Sequence, residues 1–91
     1  MNIDFDPVKN ARNIAERGLP FNRVARFDFE SALFSVDTRR DYGETRRRAL
    51  GFIDGRLHAL VFVATERDIR VISLRKANKC EVRRYEQATR P

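Results

Sequence analysis

Three apolar runs, ETRRRALGFI, RLHALVFVAT and DIRVISLR, limit the fold more than any other feature, because only short polar turns connect them. Asp54-Gly55 is a dipeptide that a type I′ turn favours, since glycine takes positive φ freely and aspartate tolerates it. Residues 44–65 are therefore expected to form one long β-hairpin. Glu66-Arg67-Asp68 makes a second polar turn, so the three runs should lie as an antiparallel meander. In the middle run both alternating sets are apolar, Leu57/Ala59/Val61/Val63 and His58/Leu60/Phe62/Ala64, which suits a central strand covered on both faces.

The remaining segments supply the covering layers. Asp6-Pro7 starts a helix, because aspartate caps free N–H groups and proline fits the first turn without losing a bond. Gly18 stops it. Val8, Ala11, Ile14 and Ala15 recur at helical spacing and are expected to face the core. A second, shorter helix should follow Pro20, burying Phe21, Val24, Ala25 and Phe29, and SALFSVD should be a strand. Asn78 followed by Glu81 is a capping-box pattern that opens a last helix, with Val82, Tyr85 and Ala88 as its inner stripe. The expected order is α-α-β-β-β-β-α: an α+β fold with a four-stranded antiparallel sheet, one domain over residues 1–91.

Charge is unevenly divided. Residues 1–38 hold five basic side chains against six acidic, whereas residues 39–91 hold 14 against seven, so the net +6 resides in the second half. Such an excess points to a polyanionic partner, most often nucleic acid, although a solvated basic surface gives the same counts. One Cys and one His exclude an intramolecular disulfide and a zinc-ligand set of those residues, so no cofactor is expected. No apolar stretch approaches the roughly 20 residues that span a bilayer, and MNIDFDPVKN carries acids where a signal peptide needs basic residues. A cytoplasmic protein with no membrane role is expected.

A basic α+β domain with no metal constellation could still cleave RNA, because the substrate supplies its own nucleophile, the 2′-hydroxyl. The protein then needs a base or precise alignment for that hydroxyl, positive charge for the phosphorane, and an acid for the leaving oxygen. Arginine serves the second need with its planar fork, but its pKa above about 12 bars it from acting as the base. Proton carriers in the basic half are Glu44, His58, Lys76, Glu81, Tyr85 and Glu86. Strand alternation places Glu44, Arg46, Arg48 and Leu50 on one face, as an acting pair or as an exposed ion pair worth about 0–1 kcal/mol.

Arg75 stands at a strand end, presented to ligand or to solvent, and Lys76 points the other way if the strand continues. His58, in an apolar strand, is expected to be a hydrogen-bonded core or edge histidine. Arg83 and Arg84 lie on the exposed side of the last helix, where phosphate positioning and simple solvation fit equally. Cys80 has no His or Asp placed near it in sequence and is not read as a nucleophile.

Taken in order, these segments resemble a known family. The likeness runs from Phe5-Asp6-Pro7 with Lys9 and Asn13, through Gly18-Leu19-Pro20-Phe21 and Ala25, to Gly43-Glu44-x-Arg46 with Ala49 and Gly51. It continues at Gly55-Arg56-Leu57 and ends in Ile69-Arg70-Val71-Ile72-Ser73-Leu74-Arg75-Lys76-Ala77, with Glu81 and Tyr85 following. The chain resembles the BrnT-type toxins of bacterial type II toxin–antitoxin systems, within the RelE-like ribonuclease superfamily. It departs at Glu16-Arg17-Gly18, where the family commonly writes Lys-His-Gly; a capping role near a helix end is one that Arg17 fills as well.

The resemblance implies a twisted antiparallel sheet, metal-independent endoribonuclease activity and growth arrest through lost translation. It also implies a BrnA-like ribbon-helix-helix antitoxin, two copies with two toxins, through which alone operator DNA is bound. The matching site residues are Glu44, Arg46, Arg75, Lys76 and Tyr85, with Arg75 as phosphate stabiliser and Glu44 as base or orienter. Arg48, Arg70, Lys79 and Arg83 are expected to bind RNA around them. The competing readings are a non-catalytic RNA- or DNA-binding module and a protein whose basic half docks an acidic partner.

Overall fold

Five strands form one mixed sheet in the order β1-β5-β4-β3-β2 in the computed structural model, which describes residues 2–91. The elements are β1 (Ile3–Phe5), α1 (Pro7–Arg17), a 3₁₀ turn (Phe21–Arg26), β2 (Leu33–Val36), β3 (Arg47–Ile53), β4 (Arg56–Ala64), β5 (Ile69–Lys76) and α2 (Lys79–Thr89). The hairpin closes as expected: β3 pairs β4 from Arg47↔Phe62 to Ile53↔Arg56, and Asp54 and Gly55 take φ of 49° and 79°. β4 and β5 extend it into an antiparallel meander.

Three expectations are corrected. The sheet has five strands rather than four and is mixed, because Ile3–Phe5 lies parallel to β5 with Ile3 opposite Ile69 and Phe5 opposite Val71. The second helix is a 3₁₀ turn whose Pro20 cap makes no side-chain bond, so the order is β-α-3₁₀-β-β-β-β-α. The third correction concerns α1. Its caps are as read, with Asp6 accepting from the Val8 N–H at 2.9 Å and Gly18 left-handed at φ 64°, yet none of its residues is buried. Val8 is 67% exposed and Ile14 43%. The helix docks instead through asparagines. Asn13 Nδ2 donates to the carbonyls of Leu19 and Leu74 at 2.7 and 3.0 Å, and Asn10 Oδ1 accepts from the Phe21 N–H at 2.8 Å. These bonds satisfy backbone groups that would otherwise be buried without partners, and they hold the helix in place of apolar contacts.

The two faces of the sheet carry separate cores. On one, Leu19, Phe21, Val24 and Phe27 pack against Ala49, Ile53, Leu60, Phe62, Ile69, Val71 and Leu74. Gly51 belongs to this face, and a Cβ there would lie 2.5 Å from Phe27 Cζ, so the ring takes its seat only over a glycine. On the other face α2 sets Tyr85 and Val82 over Leu50, Leu57, Ala59 and Phe52. That core is smaller, and α2 covers only one end of the face. No helix among the described residues is long and apolar enough to cross a membrane.

His58 is buried, as read, and its Nδ1–H donates to the Arg56 carbonyl at 2.7 Å. Burial holds its pKa below the ordinary 6.5. The unfolded chain therefore binds the extra proton first as pH falls, and stability is lost from about pH 6.5 downward until the folded pKa is passed. Urea titrations at pH 7.5 and 5.5 should show this fall, and His58→Leu should abolish the part due to His58. An equal fall in the variant would place the effect elsewhere.

Candidate functional site

A bulge in β5 decides which side chains meet. Val61 pairs with Ser73 but the next residue, Phe62, pairs with Val71, so Ile72 is the extra residue in its strand. Strict alternation would put Arg70 and Arg75 on opposite faces. The bulge brings both, with Ser73, onto the face that α2 partly covers, while Ile69, Val71 and Leu74 stay in the larger core. Across the sheet the rows then read Ser35, Arg48, Val61, Ser73 and Leu33, Leu50, Ala59, Arg75.

Where α2 leaves this face open there is a cavity of about 280 Å³. Its charged lining is Arg39, Arg46, Arg48, Arg75 and Arg84 against one carboxylate, Glu81, and Ser35 and Ser73 add hydroxyls. Clefts that enclose drug-sized ligands begin near 300 Å³, so the space is at the small end of that range. Arg39 and Arg75 are paired with Asp37 and Glu81, and the other three guanidinium groups add positive charge without a close carboxylate of their own, so the cavity has a net positive lining.

Glu81 organises its floor. The side chain is only 4% exposed, yet it accepts from Arg75 Nη1 at 2.7 Å and Nη2 at 2.9 Å, and from the Asn78 N–H at 2.9 Å. Arg48 Nη2 stands 3.9 Å away. The Arg75 guanidinium holds the Glu81 carboxyl below its ordinary range, and Glu81 in turn raises Arg75, so both stay charged wherever the protein is folded near neutral pH. Asn78 Oδ1 accepts from the Glu81 N–H at 2.8 Å and completes the expected capping box.

The rim is a loop between β2 and β3. Asp37 is buried and takes Arg39 Nε at 2.9 Å and Nη2 at 2.8 Å, with the Tyr42 hydroxyl at 3.3 Å. Arg39 holds the Asp37 carboxyl well below the usual carboxylate range. Arg46 lies over the Tyr42 ring, its Cζ 4.0 Å from the centroid, which orients a guanidinium whose Nε has no partner among the described residues.

The sequence-predicted residues are distributed as follows. Arg46, Arg48 and Arg75 converge on the cavity. Glu44 lies before β3 rather than in it and is ion-paired with Arg70. Lys76 ends β5 opposite His58, on the face away from the cavity. The Tyr85 hydroxyl donates to the Ser31 carbonyl at 2.8 Å and its ring stands edge-on to Phe52, so the side chain is spent on packing. Lys79 and Arg83 flank a second, more open groove beside Arg56 and Val82. Cys80 is exposed. Arg17 ends α1, which is fastened to the opposite face through Leu74, so the departure from Lys-His-Gly does not touch the cavity.

Other residues at the cavity were read differently or missed. Glu81 was read as a cap and as one of several proton carriers, Arg84 as one of two surface arginines, and the Asp37/Arg39 pair was not read at all. A search of curated proteins and a search of solved structures find no match to the chain. A family model described as "Ribonuclease toxin, BrnT, of type II toxin-antitoxin system" matches residues 5–81. That match spans the hairpin, the bulged strand and every cavity arginine except Arg84, and the chain belongs to the BrnT family of ribonuclease toxins.

Proposed function

We propose that the chain is a metal-independent endoribonuclease that cleaves RNA and so blocks translation and growth, one toxin domain acting through the arginine cavity. The observation that carries this reading is the convergence of Arg39, Arg46, Arg48, Arg75 and Arg84 on an open sheet face. RNA crossing that face sets one phosphate among the guanidinium groups. The 2′-oxygen attacks phosphorus as its proton passes to water, the bond to the 5′-oxygen breaks and that oxygen takes a proton from water, and the products are a 2′,3′-cyclic phosphate and a 5′-hydroxyl. Arg75 and Arg48 neutralise the phosphorane, Arg46 holds the neighbouring backbone, and Glu44 orients the attacking hydroxyl. Lys76 and Tyr85 have no part in the proton transfers in this reading. A BrnA-like ribbon-helix-helix antitoxin, two copies with two toxins, neutralises the chain in the cytoplasm and alone contacts operator DNA.

A second reading, RNA retention without cleavage, is favoured by one observation: Glu81, Glu44 and Asp37 are each paired with an arginine. Product ends separate the two. The purified chain should cut RNA in excess EDTA and leave cyclic phosphate and 5′-hydroxyl ends. Salt-sensitive binding with no cut strands would establish the second reading, and loss of cutting in EDTA would remove metal independence.

A further inference from the structure

Arg75 has five N–H groups, and the structure accounts for three of them. Nη1 donates to Glu81 Oε1 at 2.7 Å and to the Lys76 carbonyl at 3.3 Å, and Nη2 donates to Glu81 Oε2 at 2.9 Å. The end-on pair of the guanidinium is therefore occupied by a carboxylate. The side-on pair, Nε–H and the second Nη2–H, has no partner among the described residues, and the side chain, one-third exposed, lines the cavity. Those two hydrogens are parallel and match two oxygens of a phosphate.

We propose that Glu81 is a positioning residue that turns Arg75 into a phosphate ligand by holding its end-on pair and presenting its side-on pair to the cavity. The inference rests on the reading that RNA phosphate occupies this cavity. Glu81 can hold that orientation because it is itself fixed: buried, at the third position of α2, and bonded to the Asn78 N–H. Its charge also weakens the attraction of the floor for any polyanion. Removing the charge should therefore tighten RNA binding while slowing the reaction, a combination that a purely structural residue does not produce.

The purified chain and a short RNA carrying hydrogen in place of the scissile 2′-hydroxyl provide the test. In the unaltered protein the Arg75 Nε–H NMR signal, assigned with Arg75→Lys, should move on titration with this RNA. In Glu81→Gln it should stay in place although the RNA is held at least as tightly, and cleavage of normal RNA should be about 10²-fold slower, the scale of a misplaced group. Asn78→Ala removes the cap acceptor but keeps the backbone N–H that Glu81 binds, so it should behave as the unaltered protein in both measurements. If Glu81→Gln does not fold, Glu81→Asp, which draws the carboxylate back by one methylene, should show the same lost shift. Equal shifts with and without Glu81, no shift in the unaltered protein, or an equal slowing in Asn78→Ala would each overturn the positioning role. A shift without any cleavage removes the ribonuclease reading and leaves the role of Glu81 standing; cleavage without a shift does the reverse.

Discussion

Arg75→Lys is expected to lower RNA cleavage about 10²-fold while the chain stays folded and holds RNA with nearly the same salt dependence. Lysine keeps the positive charge beside Glu81, so the buried carboxylate is not left unpaired, the fault that makes an alanine at this position hard to interpret. What lysine lacks is a planar fork. One ammonium directed to Glu81 offers no parallel pair to a phosphate, and removing one preorganised donor from a developing oxyanion typically costs 10²–10³ in rate. The salt slope reports the number of phosphates neutralised, about 0.7 in log affinity per log salt for each contact with a single strand, so it changes little when one cation replaces another. An unchanged rate would remove Arg75 from the phosphate; an altered slope with an unchanged rate would make it a binding residue only.

Phe21→Ala is expected to destabilise the chain by about 3–5 kcal/mol, the usual range for deleting a buried phenylalanine ring. The ring is 2% exposed, meets Phe5 edge-on at 5.8 Å, and sits on the residue whose N–H is held by Asn10. It thus joins β1, α1 and the 3₁₀ turn to the sheet. Domains of this size are stable by about 5–15 kcal/mol, so the variant should lose much of its margin. A fall in the urea midpoint with an unchanged m-value is the expected result. Because the ring lies on the face opposite the arginines, the molecules that remain folded should cleave RNA at the normal rate. A loss below about 1 kcal/mol would mean that the site collapses around the missing ring.

Much of the frame was legible in advance, and the failures have physical causes. The hairpin, the capping box, buried His58 and the opposed Lys76 all follow from chemistry within a few residues. β1 was missed because three residues are too few for alternation to register, and its partner β5 lies more than 60 positions away. α1 was inverted because hydrophobic spacing outvoted two asparagines whose value lies in backbone groups of other segments, two carbonyls for Asn13 and the Phe21 N–H for Asn10. Of the residues named in advance, Arg46, Arg48 and Arg75 line the cavity, but alternation cannot reveal an extra residue at Ile72, so the meeting of Arg70 and Arg75 on one face was not legible. The partnership of Arg75 with Glu81 crosses from a strand end to a helix start, where neither period applies.

The capping box has a consequence for the timing of synthesis. Glu81 serves both the start of α2 and the floor of the cavity with one carboxylate. A chain still attached to the ribosome can pair β3, β4 and β5 as they emerge, yet Arg75 stays unanchored until residues 79–89 have cleared the exit and coiled.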